Sequence, residues 1–342
     1  MRGVYAGRGA PSLARQPKKL TANPGENDAL SDVLRSIRLT GSLQFCFMPS
    51  GAWQTDGKPR LASLAAGTTP TIPFHILVEG SCWLRMNGEE FVLAAGDVMA
   101  FPHATPHSLG AGRDGTTVTP VLDLPPKPWR ALPILRYGDG ETPVRLLCGF
   151  LQCEALNFGP LRAALPDMIH VPTGKDARAA WLGATLRQIV EEVDRPNAGG
   201  LSMLERLTEI TFIELLRHEI LAADPGSAGW LAALADPSLG RCLAQIHDDP
   251  HRNWTVQDLT AVSGLSRSTL AERFEEVLDT SPMRYVRDWR LYLASVALGT
   301  TRKPVAAVAY DAGYGTEAAF SRAFSRAYGV PPAAWRQRSR KG

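Results

Sequence analysis

Residues 255–278 read TVQDLTAVSGLSRSTLAERFEEVL and contain two short helix patterns separated by a glycine turn. Thr255 and Asp258 stand three residues apart, as in a capping box that begins a helix. Ser263-Gly264-Leu265-Ser266 interrupts the pattern, and Ser266 is placed to cap a second helix. The apolar positions of that helix share one face: Leu270, Phe274 and Val277. Two short helices joined by a tight turn that contains glycine predict a helix-turn-helix.

A second motif of the same kind is predicted about 50 residues later. Its first helix carries Val305, Val308 and Ala309, and its turn is Asp311-Ala312-Gly313-Tyr314-Gly315. Thr316 is placed to cap its second helix, whose core positions are Ala319, Phe320, Ala323 and Phe324. A longer helix over 283–298, roughly 24 Å at 1.5 Å per residue, separates the motifs. Recognition helices about 34 Å apart can enter successive major-groove segments, so one chain could read DNA twice.

The C-terminal part is also the basic part of the chain. Residues 252–342 hold 14 Lys and Arg against 8 Asp and Glu, whereas the rest hold 23 against 26. This imbalance favours a polyanion partner for that part, although a basic helical face is commonly just solvated. The 342 residues are 44% hydrophobic and 21% charged, which is typical of globular proteins. No run approaches the ~20 apolar residues of a membrane span, so we expect no membrane partner and a cytoplasmic location.

The chain from about 240 to 337 resembles the DNA-binding unit of the AraC/XylS transcriptional regulators. The resemblance rests on these motifs: Leu270-x-x-Arg273-Phe274, Thr280-Ser281-Pro282-Met283-Arg284-Tyr285-Val286, Arg290-Leu291, Ala309-x-x-x-Gly313-Tyr314, Phe320-Ser321-Arg322-x-Phe324 and Tyr328-Gly329-Val330-Pro331-Pro332-x-x-Trp335-Arg336. It implies a bacterial regulator that binds double-stranded promoter DNA, with activation as the family tendency and RNA polymerase as a further partner. Two positions depart from the pattern: Thr280 replaces the usual Gly, and Trp335 replaces the usual Tyr or Phe.

The resemblance also indicates which side chains face DNA. On the first recognition helix it points Ser268 and Glu272 towards bases. Glu272 could accept from cytosine N4, or it could be a solvated helix residue. On the second helix the outward residues are Glu317, Ala318, Ser321 and Arg322. Arg322 is the strongest candidate for base reading because its guanidinium pairs bidentately with guanine, with a phosphate contact as the alternative. Three further arginines are predicted to contact phosphate or to pair within the protein: Arg267, Arg290 and Arg326.

The N-terminal half has a different rhythm, with short apolar runs separated by Gly, Pro, Asn and Asp. The predicted strands are Ser42–Met48, Phe74–Val78, Cys82–Met86, Glu90–Leu93, Asp97–Phe101, Thr117–Leu122 and Arg145–Gln152. Such spacing predicts an all-β sandwich or barrel, and Asn87-Gly88 predicts a tight hairpin turn. Before the strands, residues 1–27 are predicted to be a disordered extension and Asp28–Leu39 a short helix.

Residues 28–172 resemble the small cupin barrel that precedes the DNA-binding unit in many such regulators. A cupin raises the question of a metal, and the candidate ligands are His75, Glu79, His103 and His107. The usual pattern has a second histidine two residues after the first, where this chain has Leu77. We therefore expect no bound metal or other cofactor and no catalysis, with a metal-dependent cupin enzyme fused to a DNA-binding domain as the remote alternative.

The five cysteines are an odd number, and four of them fall in the β domain. Free cysteine is usually a small buried apolar residue. A thiol redox switch is the alternative, in which Cys46 and Cys148 would meet near the mouth of the barrel. His75 and His107 join these two cysteines as candidates for sensing an unknown small-molecule effector or a chemical signal.

After Pro172 the periodicity is helical, with Ala177–Val193 and Leu201–Ala222 predicted as an antiparallel pair broken by Asn197-Ala198-Gly199-Gly200. We expect this pair to form a homodimer interface. The predicted fold class is α+β and multidomain: a cupin-like β-barrel, a helical linker and dimerisation pair, and an all-α double helix-turn-helix. The predicted boundaries are 1–27, 28–172, 173–232 and 233–342.

Overall fold

The computed structural model describes residues 39–57, 70–140, 144–172, 180–222 and 229–339. The extension predicted for 1–27 lies outside these ranges, as does the helix predicted for 28–39 except for Leu39, which begins the first strand. The described strands are β1 (Leu39–Pro49), β2 (Trp53–Thr55), β3 (Thr71–Glu79), β4 (Ser81–Met86), β5 (Glu89–Ala94), β6 (Asp97–Ala100), β7 (His107–Ala111), β8 (Thr116–Val118), β9 (Ile134–Tyr137), β10 (Arg145–Cys153) and β11 (Ile169–Pro172).

The strands form two sheets. One has six strands in the order β11-β6-β3-β10-β1-β9, and the other has five in the order β5-β4-β7-β2-β8. Residues of both sheets, among them Phe47, Leu77 and Leu84, pack into one core between them. The cupin-type β domain is thus a pair of facing sheets, and in the described residues the two sheets share no strand that would close them into a barrel.

The six-stranded sheet is buried on both faces, because successive side chains of a strand point to opposite sides. Its outer face, which includes Ile72, Phe74 and Leu147, packs against helices that follow in sequence. Those helices are α2 (Ala180–Asp194) and α3 (Gly200–Ala222), which confirm the predicted helical pair to within a few residues. A helix of five residues, α1 (Gly159–Ala163), comes before them.

The predicted strand Thr117–Leu122 is wrong beyond Val118, where β8 ends. Pro120 has no N–H to give to a sheet and a fixed φ, and it begins a short 3-10 helix over Pro120–Asp123 instead. The hairpin at Asn87-Gly88 is confirmed, with φ of 52° and 84° at the two turn residues. Four short strands were not predicted: β2, β7, β9 and β11.

The C-terminal region is helical throughout its described residues. Its helices are α4 (Trp230–Ala235), α5 (Pro237–Asp248), α6 (Val256–Ser263), α7 (Arg267–Leu278), α8 (Pro282–Thr300), α9 (Val305–Asp311), α10 (Glu317–Tyr328) and α11 (Pro332–Ser339). No described helix of the chain is both long enough and apolar enough to cross a bilayer.

Phe158 joins the β domain to the C-terminal helices. It follows the short 3-10 helix Glu154–Asn157 after β10 and is 1% exposed. Its ring lies 5.1 to 6.4 Å from five aromatic rings of α4, α5 and α8: Trp230, His247, Tyr285, Trp289 and Tyr292. One hydrophobic core therefore runs from the six-stranded sheet into the first helix-turn-helix.

Candidate functional site

Two helix-turn-helix motifs form the first part of the site. The first consists of α6 and α7, and its turn uses Gly264 at φ 73°. The capping box is present, since the Thr255 hydroxyl accepts from the Asp258 N–H at 3.2 Å and the Asp258 carboxylate accepts from the Thr255 N–H at 2.9 Å. The Ser266 hydroxyl caps α7 by accepting from the Thr269 N–H. These caps satisfy N–H groups that a helix start leaves without partners.

The second motif consists of α9 and α10. Gly313 makes its turn at φ 81°, and the Thr316 hydroxyl accepts from the Ala319 N–H to begin α10. The recognition helices α7 and α10 are each 12 residues long. Between the motifs, α8 has 19 residues, or about 28 Å at 1.5 Å per residue.

The residues predicted to face DNA lie on the outer sides of the two recognition helices. Arg267, Ser268 and Glu272 are exposed on α7. On α10 the exposed residues are Glu317, Ala318, Arg322 and Arg326, and Ser321 is half-buried. Within the described residues no hydrogen bond or ion pair engages the guanidinium groups of Arg322 and Arg326, so both are available to a ligand.

Arg290 differs from the other predicted arginines because it is held inside the protein. Its Nε donates to the Pro250 carbonyl at 2.7 Å and its Nη2 to the Arg252 carbonyl at 2.6 Å. A Cβ placed on Gly313 would come within 2.7 Å of its Nη1. Of the two predicted roles, this geometry is that of pairing within the protein.

The Arg290 contacts tie the two motifs together. Arg290 belongs to α8, the loop at 250–252 leads into α6, and Gly313 is the turn of the second motif. His251, in the same loop, adds a hydrogen bond from its Nδ1 to the Asp311 carbonyl at 2.7 Å. The segments that carry α7 and α10 are thus joined by α8 and also by this cross-link.

The second part of the site is a cavity of about 100 Å³ between the two sheets. Its walls are mostly apolar, with Phe45, Phe47, Leu109 and Phe150 among them. The polar side chains that line it are Thr55, Asp56 and Thr119, together with three residues that the sequence singled out: His75, His107 and Cys148.

The side chains of His75, His107 and Cys148 form a directional chain of hydrogen bonds. His107 Nδ1 lies 2.7 Å from the Thr105 carbonyl, which can only accept, so this nitrogen carries a proton. In the neutral ring its Nε2 then accepts from His75 Nε2, at 2.9 Å. His75 Nδ1 is left to accept from the Cys148 thiol at 3.0 Å.

Both imidazoles in this chain are neutral. Burial lowers the pKa of His107 to about 4 and lowers the pKa of His75 well below its usual range, and His107 adds to the effect on His75. Burial likewise raises the pKa of the Cys148 thiol well above its usual range. Since every ring nitrogen is engaged in a hydrogen bond, these three side chains offer an incoming ligand no charge. Asp56, the acidic residue of the lining, already interacts with another group.

The four predicted metal candidates do not come together. His75 and His107 touch, but His103 Nε2 lies 3.0 Å from the Leu165 carbonyl, and Glu79 lies 3.7 Å from Arg145. Among the described residues no three His, Cys, Asp or Glu side chains are grouped to hold a metal ion.

Cys46 and Cys148 lie on opposite faces of the six-stranded sheet. Cys148 pairs in register with Phe45, whose side chain faces the core between the sheets, whereas Cys46 lies on the opposite face beside Val190 and Val193 of α2. All the described cysteines are buried and free. Burial raises the pKa of Cys46 to about 11. The arrangement in which both thiols meet at the mouth of a barrel is therefore wrong, because a strand turns neighbouring side chains to opposite faces.

Sequence reasoning missed Phe158 and the cross-link of the loop 250–252. Asn157-Phe158-Gly159-Pro160 reads as an ordinary loop, and a single aromatic residue there gives no periodic signal. His251 likewise gave no local pattern, because its partner lies 60 residues away.

Comparison with known proteins gives two family models and several full-length relatives. A Cupin model matches residues 28–236, and a Helix-turn-helix domain model matches residues 259–338. The chain is 35% identical over 320 residues to the HTH-type transcriptional regulator AlkR of Acinetobacter baylyi, covering 91% of this chain and 100% of that protein. It is 30% identical over 317 residues to a putative AraC-like transcription regulator of Streptomyces antibioticus, covering 91% and 98%.

Solved structures also match parts of the chain. The DNA-binding domain of AdpA, solved with a target DNA, is 28% identical and covers 31% of this chain and 95% of that chain, with a TM-score of 0.29. ToxT of Vibrio cholerae O395 is 11% identical and covers 87% and 97%, with a TM-score of 0.33.

Proposed function

Since the chain belongs to the AraC family of transcriptional regulators, we propose that it activates transcription when a small apolar molecule occupies the cavity between its two sheets. It is a DNA-binding regulator and not an enzyme. The observation that carries the proposal is the neutral, hydrogen-bonded set of His75, His107 and Cys148 within the mostly apolar walls of that cavity. In the second part of the proposal, α7 and α10 recognise the promoter sequence.

The exposed arginines of α10 support the DNA-reading part. Arg322 is free to pair bidentately with guanine, a contact worth about 1–3 kcal/mol of discrimination against a wrong base. Arg326 lies one turn later, which suits a phosphate contact. On α7 we assign Ser268 and Glu272 to bases and Arg267 to phosphate.

Two matched variants test this assignment. Arg322→Ala should lower affinity for the cognate promoter far more than for unrelated duplex DNA, because it removes a base contact. Arg326→Ala should weaken both about equally and reduce the salt slope of binding by about 1. Titrations at several salt concentrations measure both effects. An equal loss across sequences for Arg322→Ala would assign that residue to phosphate.

The chemistry of the cavity supports an apolar ligand. An engineered apolar cavity of about 150 Å³ binds benzene, and this one, at about 100 Å³, is of the same order. A charged ligand would lose its hydration there, which is costly in an apolar site, and Asp56, the acidic residue of the lining, is already engaged by another group. We therefore infer an uncharged hydrocarbon or aromatic effector of a few heavy atoms.

A cavity-filling variant tests the effector site. Val121 lines the cavity, and Val121→Phe should abolish the rise in melting temperature that wild type shows with toluene. Val92→Phe is the matched control, since Val92 is 81% exposed on β5, and it should respond as wild type does. A toluene response that survives Val121→Phe would place the apolar ligand elsewhere.

A continuous path supports communication from the cavity to the DNA-binding helices. Cys148 and Phe150, which line the cavity, belong to β10, and Phe158 follows five residues after that strand ends. A ligand that shifts β10 would move Phe158 within its aromatic cage. Such a ligand biases the domain arrangement by its differential affinity for the two states.

We propose that the chain forms a homodimer through its helical pair. The inner faces of α2 and α3 are used against the six-stranded sheet, but Met203 and Ile210 stay 49% and 41% exposed on α3. They stand seven residues apart and therefore share a face. We place the dimer contact there. Ile210→Glu should convert the dimer into a monomer in sedimentation velocity, and an unchanged mass would refute this placement.

The contact between Cys148 and His75 counts against the redox alternative. A thiol that donates to a neutral imidazole stays protonated, and the thiolate is the reactive form. Loss of an oxidant response in Cys148→Ser, with basal DNA binding intact, would favour the redox reading over the effector reading.

A further inference from the structure

A second cavity lies on the opposite face of the six-stranded sheet from the effector cavity. It measures about 200 Å³ and is bounded by β1, the start of α3 and the loop before β9. Its apolar walls are Trp129, Leu132, Leu201 and Leu204, and its polar floor includes Gln44. We call it the Gln44 cavity.

The orientation of the Gln44 amide is fixed by its neighbours. The Thr208 hydroxyl donates its one proton to the Leu204 carbonyl at 2.8 Å. It can then only accept from Gln44, whose Nε2 lies 2.8 Å away. The amide oxygen must therefore point away from Thr208.

That oxygen is a buried hydrogen-bond acceptor that lacks a donor among the described residues. Gln44 is 5% exposed, and its Oε1 has no hydrogen-bond partner among the described residues. The Trp129 N–H, which lines the same cavity, already donates to the Pro125 carbonyl at 2.8 Å. A buried polar atom without a partner lacks a hydrogen bond that native structures usually provide, and since Gln44 lines the cavity, a ligand bound there would be placed to supply the donor.

We propose that the Gln44 cavity binds a small, neutral aromatic molecule whose N–H or O–H donates to Gln44 Oε1. The indole of Trp129 and the leucine side chains suit a flat apolar body. Lys127 and Glu205, of opposite charge, both line the cavity, so it favours an uncharged ligand over an anion or a cation. The site shares no lining residue with the effector cavity and does not depend on the proposed effector.

Indole and 1-methylindole are the probes, because they differ in whether they carry the N–H donor. The dissociation constants are measured by ligand-observed NMR titration. For the wild-type chain, the value for indole should be about fivefold to tenfold lower than the value for 1-methylindole, which is the effect of one net hydrogen bond. Gln44→Met keeps the length of the side chain but removes the acceptor, and it should bind both probes equally.

Two further variants control the experiment. Gln54→Met removes a similar glutamine, one that donates to Thr117 on the other sheet, and should keep the wild-type preference. If Gln44→Met does not fold, Thr208→Val frees the amide to turn and should reduce the preference for indole. Equal affinities in wild type, no saturable binding, or a preference that survives Gln44→Met would each overturn the proposal.

Discussion

Replacing Phe158 with alanine should separate the β domain from the first helix-turn-helix. The ring is 1% exposed and lies among five aromatic rings. Truncating a buried Phe to Ala costs about 3–5 kcal/mol. The value should lie towards the upper end, because each aromatic pair adds about 0.5–1.5 kcal/mol beyond area burial. This loss falls on the contact between the two parts and leaves the interior of each intact.

Hydrogen exchange across α8 is the decisive measurement. In Phe158→Ala, the backbone amides of α8, from Met283 onward because Pro282 has no N–H, should exchange faster, and denaturant unfolding should separate into two transitions. Phe47→Ala is the matched control, since Phe47 is also 1% exposed but packs between the sheets. It should destabilise the β domain and leave α8 protected. If Phe158→Ala leaves the exchange of α8 unchanged, the ring does not couple the two parts.

Three other outcomes follow from the same geometry. Because the folded-state pKa of His107 is about 4 and its ordinary value is 6.5, the unfolded chain binds the proton more readily, so stability should fall as pH drops from 6.5 to 4. The loss should be on the order of 3 kcal/mol, and a flat denaturation profile over that window would contradict it. No disulfide should join Cys46 and Cys148 in the folded chain treated with oxidant, and peptide mass spectrometry that finds one would show that β1 or β10 twists. If RNA polymerase contacts the protein at Tyr310, which is 79% exposed on α9, Tyr310→Ala should lower transcription in vitro while promoter affinity stays unchanged; equal losses in both would contradict such a contact.

The helical part of the fold could be predicted from local sequence because its signals are local. Thr255 with Asp258, Ser266 and Thr316 all act within three residues of their partners, and the structure confirms each cap. Gly264 and Gly313 each form a turn through the positive φ of that one residue, so this signal is local as well. Such features do not depend on the rest of the chain.

The β domain was less predictable because its order depends on distant pairing. β2 has three residues, too few for an alternation to be recognised, and β8, which ends at Val118, was predicted to continue to Leu122. His75, His107 and Cys148 were each singled out, but the strand register that joins them spans 73 residues. The orphaned oxygen of Gln44 depends on Thr208, which lies 164 residues away, so no local pattern could point to it. The boundaries at 172 and 232 stay predictions, and one hydrophobic core extends across both.

The cross-link that Arg290 and His251 make between the two helix-turn-helix motifs has a consequence for the operator. Because these contacts fix the relative orientation of α7 and α10, the two recognition helices do not rotate to follow a change in the helical phase between their two sites on DNA. One inserted base pair rotates the downstream groove by about 35°. The two sequence elements read by one chain should thus tolerate single base substitutions better than the insertion of a base pair between them.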